Sequence, residues 1–427
     1  MWESLSRRGR RCCFLEHNLD ELRVGIKERV LGSLDFSREI RDEELFELID
    51  GEIGNMLRNK ALPVSLKKQL RMNVYHSIRK LDVLQSLVDD PSITEIMVNG
   101  TDNIFIEKEG KICESGLHFE SRQRLEDVVQ QIVASCNRVV NESSPIVDAR
   151  LENGSRVNVV LAPIALNGPI VTIRRFPDKP ITMKRLIELG SISEYLKSYI
   201  EVLVKAGYNI FISGGTGSGK TTFLNALSDF IPKDQRLITI EDNAELQIIG
   251  VPNLVRMEAR NANVEGCRPI TIRDLIKSSL RMRPDWLVVG EVRGDECVDM
   301  LQAMNTGHMA MSTGHANSAA DMLSRIETMV LMGMEIPLSA VRGQIASGID
   351  IVVHLGRLRD RSRKVLEICE LEKELDEKSG KIRVNTLFRF EESEGMSKEK
   401  VVGKWRKVGE LKATEKLLAA GLRLPAE

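Results

Sequence analysis

Apolar side chains change their spacing along the chain, and each change marks a different kind of element. Between residues 18 and 88 they recur every three or four positions. In "SREIRDEELFELIDGEIGNML" they are Ile40, Leu45, Phe46, Leu48, Ile49, Ile53 and Leu57, the period of an amphipathic helix. Ser37, ahead of Arg-Glu-Ile, is the expected N-cap, and Pro63 opens a second helix, "VSLKKQLRMNVYHSIRKLDVL". Residues 18–88 are therefore expected to form an N-terminal helical domain suited to docking. From 89 the texture becomes β-rich: "ITEIMVNGTDNIFIEKEGKICES" has short runs broken at Asn-Gly and Glu-Gly turns. A helix over "RLEDVVQQIVASCNRVV" follows, then strands "SRVNVVLAP" and "GPIVTIRRF" joined across Asn167-Gly168. This reads as a small α+β domain over 89–178, with "ITMKRLIELGSIS" in a linker over 179–195.

Residues 196–427 alternate strand-like and helix-like stretches, as a parallel sheet with crossover helices requires. Four apolar runs are each followed at once by polar residues: "YNIFIS" by "GGTGSGKTT", "RLITI" by "EDNAE", "DWLVV" by "GEVRG" and "MAMST" by "GHANS". Open α/β sheets bind ligands outside the carboxyl ends of their strands, so all four polar clusters are expected on one edge of one sheet.

Charge and cysteine narrow the function classes. Sixty-one basic against 62 acidic side chains leave a formal charge of -1, which gives no general attraction to nucleic acid or anionic membrane. The local run Arg357, Arg359, Arg361, Arg363 and Lys364 reads as the cap of a solvated hairpin. Seven cysteines without a C-x-x-C fit a reducing cytoplasm better than a disulfide framework or a thiolate zinc site. Residues 1–17 are basic but lack an apolar segment behind the arginines, so they read as a disordered tail rather than a secretory signal. No stretch approaches the roughly 20 apolar residues of a membrane span.

Gly214 to Thr221, "GGTGSGKT", satisfies G-x-x-x-x-G-K-[ST] between an expected strand and an expected helix. Gly214, Gly215, Thr216, Gly217, Ser218 and Gly219 are expected to turn backbone N–H groups toward phosphate oxygens, aided by the helix N-terminus. Lys220 is expected on the β- and γ-phosphates of ATP, and Thr221, followed by Thr222, on Mg²⁺. Hydrolysis also needs acidic groups to organise Mg²⁺ and to orient or deprotonate water. Glu291 in "LVVGE" and Glu241 in "ITIED" are the candidates, and either could polarise the water. Glu291 is also expected to hold Mg²⁺ through nucleotide and water. In "TGHMAMSTGHANS", a strand over Met309 to Thr313 separates His308 from His315. Seven extended positions span up to about 20 Å, too far for both histidines to ligate one metal. His315 falls on the edge with Lys220, Glu241 and Glu291, within reach of a γ-phosphate. His308 either joins that network through the loop or a neighbouring subunit, or packs at the strand entry.

The phosphate loop, "TIEDNAEL", "MRPDWLVVGEVRG" and "TGHMAMSTGHANS" stand in the order of the Walker A, Asp, Walker B and His boxes of secretion ATPases. With "TIRDLIKSSLRMRPD", "AMNTGH" and "EIMVNGTDNIFIEKEGKI", roughly residues 40 to 425 resemble the CpaF/TadA type, which assembles tight-adherence (Flp) type IV pili. The resemblance implies an α/β fold with a RecA-like P-loop ATPase domain preceded by a small α+β domain and an N-terminal helical region. It also implies a homohexamer that hydrolyses ATP with Mg²⁺, cytoplasmic and held peripherally at the inner membrane face by platform proteins. Arg156 in "NGSRVN" and Arg174 in "TIRRF" match the family's phosphate-contacting arginines. Some relatives carry a tetracysteine zinc module that this chain lacks, so no zinc is expected, and "GCRP" at 266–269 departs from the pattern. Two rival classes are a nucleic-acid motor, against which only 4% aromatics argue, and a nucleotide-gated scaffold, against which both glutamates argue.

Overall fold

The computed structural model describes residues 21–35, 37–38, 40–58, 62–108, 110–136, 138–151, 153–175, 180–260, 268–393 and 400–426. The expected tail over 1–17 and the first two residues of "GCRP" lie outside them. The chain divides into two compact units, Met1–Asp178 and Lys179–Glu427. Among the described residues no helix is long and apolar enough to cross a membrane.

In the first unit, helices over 21–33, Asp42–Met56 and Val64–Arg79 enclose Ile26, Val30, Leu45, Ile49, Ile53, Leu70 and Val74. Two expectations are corrected here. Ser37 is not a helix cap: its N–H and hydroxyl both donate to Asp35 Oδ1 (3.0 and 2.6 Å) in a local turn. The helix starts instead at Asp42, where Asp42, Glu43 and Glu44 face its positive end. The second helix also does not run on through Leu84. Asp82 adopts φ +54°, and a separate helix covers Val83–Asp89. That break lets the buried Asp82 carboxylate accept Arg23 Nη1 (2.9 Å) and Arg124 Nε.

Six antiparallel strands complete this unit: β1 (Ile93–Asn99), β2 (Asn103–Lys108), β3 (Lys111–Glu114), β4 (Ile146–Arg150), β5 (Arg156–Val160) and β6 (Ile170–Arg174), in the order β3-β2-β1-β6-β5-β4. Helices Val83–Asp89 and Arg122–Ser135 bury Leu84, Leu125, Val128, Val129 and Ile132 against Ile96, Val98, Val157 and Val171. Ser121 caps the longer helix by accepting from Arg124 N. It ends before Cys136, whose Sγ donates to Arg150 O (2.8 Å), and so does not continue to Val140. β4 carries no apolar alternation because it is a half-exposed edge strand.

The second unit is a nine-stranded sheet between two helical layers: β7 (Ile210–Gly214), β8 (Leu237–Glu241), β9 (Leu254–Glu258), β10 (Trp286–Val289), β11 (Met309–His315), β12 (Ile351–Arg357), β13 (Arg363–Leu375), β14 (Ile382–Glu392) and β15 (Gly403–Lys407). Their order is β15-β14-β13-β12-β7-β11-β10-β8-β9. Pairing is parallel from β12 to β9 and antiparallel from β12 to β15. β7, β8 and β10 are buried at every position, as expected of strands covered on both faces. Helices Glu194–Lys205 and Lys220–Ser228 cover one face, and Glu296–Asn305, Ala319–Gly333 and Leu338–Gly348 the other. Of the antiparallel extension, the hairpin into β13 was expected from sequence, and β14 and β15 were not.

Candidate functional site

Parallel register brings the four polar clusters together. Gly214 at the end of β7 pairs with His315 on β11. On the other side of β11, Ser312 pairs with Val289 of β10, which pairs with Ile240 of β8. The chain leaving β10 is then fixed from both sides. Gly290 N–H donates to Ile240 O (2.8 Å), Thr313 Oγ1 to Gly290 O (2.8 Å) and Val292 N–H to Thr313 O (3.0 Å). Glu291 is thereby held between the ends of β8 and β11.

The phosphate loop closes on Gly219, whose φ of +92° is left-handed and begins the helix Lys220–Ser228. Thr221 and Thr222 stand half-buried in its first turn. Lys220 is buried, and its Nζ donates to Gly214 O and Gly215 O (both 3.1 Å) and to His315 Nδ1 (3.2 Å). Because an ammonium group is donor-only, Nδ1 must accept, which places the proton of a neutral His315 on Nε2. Nε2 lies 2.9 Å from Glu291 Oε1 at ion-pair distance. Burial first, and then Lys220, hold the His315 pKa below its ordinary value, against the pull of Glu291. Glu291 Oε2 in turn accepts from Arg293 Nη2 (2.8 Å). The result is a line of contacts, Lys220–His315–Glu291–Arg293, along the sheet edge.

Glu241 sits beside this line in a drier place. Its side chain packs so closely on Gly290 that a Cβ there would lie 3.1 Å from Glu241 Cγ. Oε1 accepts the backbone N–H groups of Glu245 and Leu246 (both 2.8 Å), while buried Oε2 has no hydrogen-bond partner among the described residues. Burial raises its pKa from 4.5 to about 7, opposed by those two N–H groups and by Arg256.

Not every expected residue joins the cluster. His308 stands at the opposite end of β11, where Nδ1 lies 3.3 Å from both Ala303 O and Thr306 Oγ1. It closes the turn after helix Glu296–Asn305 and is not brought to the other site residues. Arg156 and Arg174 are direct cross-strand partners on β5 and β6 in the first unit. Sequence reading missed Arg293, although a cation two residues beyond Glu291 was a usable signal. The basic run at 357–364 is mostly as expected, with Arg357, Arg359, Arg361 and Arg363 exposed. The run does form a hairpin between β12 and β13, but Lys364 is buried, with Nζ donating to Gly190 O (2.8 Å), and Arg363 Nε donates to Gly217 O (2.8 Å).

The α/β sheet, the glycine loop and the carboxylates at its edge define a RecA-like P-loop domain. The Type II/IV secretion system protein family model matches residues 78–408. The chain belongs to that family. A Mycobacterium tuberculosis relative named for conjugal transfer is 31% identical over 322 residues, 74% of this chain and 89% of that one. The type IV secretion system protein VirB11 of Brucella suis is 32% identical over 307 residues, 64% and 84% of the two chains. The ATPase DotB of Yersinia pseudotuberculosis shares the fold, with a TM-score of 0.50 at 16% identity over 68% of this chain and 78% of that one.

Proposed function

We propose that this chain is a Mg²⁺-dependent ATPase that works as a homohexameric motor, converting ATP and water to ADP and phosphate to drive pilin or protein transport in a tight-adherence (Flp) pilus apparatus. The observation that carries the reading is the convergence of Lys220, His315, Glu291 and Glu241 on one edge of one parallel sheet, beside the glycine loop. A buried ammonium turned onto loop carbonyls and an imidazole is the donor that a triphosphate would take over. Thr221 and Glu291 supply the oxygen donors Mg²⁺ prefers, and the ion would neutralise developing phosphate charge. His315, with Nε2 at 2.9 Å from Glu291 Oε1 and Nδ1 on Lys220, stands between the two and is placed to sense whether Lys220 is engaged. Glu241 and Glu291 are the two groups able to direct the attacking water. Arg156 and Arg174 are the cations proposed to reach the phosphates, and membrane-bound platform proteins are the proposed partners that hold the motor at the inner face of the membrane.

The conjugal-transfer name of one relative favours a second reading, a motor of a DNA-exporting apparatus. Mass photometry with an ATPase assay, with and without single-stranded DNA, separates the two. A six-fold ring indifferent to DNA supports the pilus motor, and strong stimulation overturns it. Lys220→Ala is expected to lose hydrolysis, and Glu291→Gln to bind nucleotide without turnover. Wild-type turnover in Glu291→Gln would remove the proposed role of that residue.

A further inference from the structure

The hairpin between β12 and β13 leaves the sheet beside the phosphate loop, because β12 is the parallel neighbour of β7 and Leu355 pairs with Gly214. Its two flanking arginines, Arg357 and Arg363, are cross-strand partners, and both are brought against the loop. Arg363 Nε donates to Gly217 O (2.8 Å), and its Cδ lies 3.3 Å from where a Cβ on Gly219 would stand. Arg357 Nη1 lies 3.7 Å from the corresponding point on Gly217. The hairpin is itself stiff. Asp360 Oδ1 accepts Ser362 N–H (3.0 Å) and hydroxyl (2.6 Å), Oδ2 accepts Val401 N–H (2.7 Å), and Arg359 Nη1 pairs with Glu392 Oε2 (2.8 Å).

A phosphate cradle needs its N–H groups turned inward, which turns carbonyls outward. Gly217, at φ +71°, has the conformational freedom to flip its outward carbonyl unless something holds it. The trans peptide sets Ser218 N–H opposite that carbonyl, and it donates to Gly215 O (3.3 Å). The loop tip is therefore braced from both sides, with a cationic donor on the outside.

We propose that Arg363, presented by this hairpin, is a positioning residue that holds the phosphate loop in its polyphosphate-binding shape, with Arg357 adding positive charge to the same wall. The inference rests on the phosphate-site reading above and extends it to a strand pair outside the four boxes. It assigns to the nucleotide site a basic run that otherwise looks like surface.

The test uses the full chain, with calorimetric titration of Mg-ADP and steady-state hydrolysis of Mg-ATP. Arg363→Ala is expected to weaken Mg-ADP binding and raise KM about tenfold, roughly 1.4 kcal/mol, with kcat within about threefold. Arg363→Lys, which still offers a donor to the Gly217 carbonyl, is expected to restore both to within about threefold of wild type. A merely structural role would lower Tm without separating KM from kcat. If Arg363→Ala does not fold, Arg363→Gln and Arg363→Lys carry the same comparison. Binding by Arg363→Ala within twofold of wild type, while Lys220→Ala fails to bind, overturns the inference and leaves the phosphate site standing. Undiminished binding by Lys220→Ala overturns the site reading itself.

Discussion

Replacing Glu241 by Gln should make the protein more stable at alkaline pH and change little at acid pH. The carboxyl is 2% exposed, and burial lifts its pKa from 4.5 to about 7. A raised carboxyl pKa means that the folded state prefers the protonated form. Its favourable contribution is therefore complete below pH 4.5 and is lost as pH rises through about 7. At 1.36 kcal/mol per tenfold change in the proton equilibrium, the full swing is on the order of 3 kcal/mol. Glutamine keeps a carbonyl oxygen for the N–H groups of Glu245 and Leu246 while never charging. Urea unfolding at pH 5 and pH 8.5, without nucleotide or Mg²⁺, measures the difference. Trp286 and Trp405 both lie in the second unit and report its unfolding by fluorescence. The gain for Glu241→Gln should be near zero at pH 5 and grow to between about 1 and 3 kcal/mol at pH 8.5. A gain or loss independent of pH would refute the assignment of a desolvated, titrating carboxyl at this position.

Three further outcomes are expected at the sheet edge and its support. His315→Ala should lower kcat at least about tenfold with nucleotide affinity kept within about threefold, whereas His308→Ala, at the far end of β11, should stay within twofold in both. The wild-type rate should also fall at acid pH, beginning below the ordinary imidazole range because the His315 pKa is lowered, since a protonated imidazole can no longer accept from Lys220 and repels it; an identical acid limb in His315→Ala would contradict the contact. Asp350 is 4% exposed and joins Asn209 N–H, Lys373 and Lys416 (2.8, 2.8 and 2.6 Å). Asp350→Asn should cost roughly 2 kcal/mol by urea unfolding, less than a fully buried pair because both lysines are partly exposed.

β7, β8, β10 and β11 were legible because their runs are apolar and sharply ended, and their common edge followed from parallel pairing alone. Lys220 and His315 could be placed together before any coordinates, since both lie just past strand ends. What escaped was whatever depends on pairing between distant segments. β4 (IVDAR) is short and lacks alternation, and its pairing with β5 is what identifies it as a strand. β14 and β15 are antiparallel, half-exposed and without a loop motif. Arg363 acts on Gly217 from 146 positions away, a proximity no local pattern encodes. The helix break at Asp82 was hidden for the same reason. Its left-handed turn is stabilised by Arg23 and Arg124, 59 and 42 positions distant.

That ionic knot has a mechanical consequence for the first unit. Asp82 joins the helix over 21–33 to the helix Arg122–Ser135 that covers the sheet, and Arg23 Nη2 reaches Glu120 as well (2.8 Å). The helical cluster and the sheet have separate apolar cores, so in its absence they would be two beads joined by a hinge at residues 80–82. With two guanidinium groups on one buried carboxylate, bending at that hinge has to separate Asp82 from Arg23 and Arg124. In the first unit the helical cluster and the sheet are thus coupled by charge as well as by the chain, so a displacement of one is resisted at Asp82.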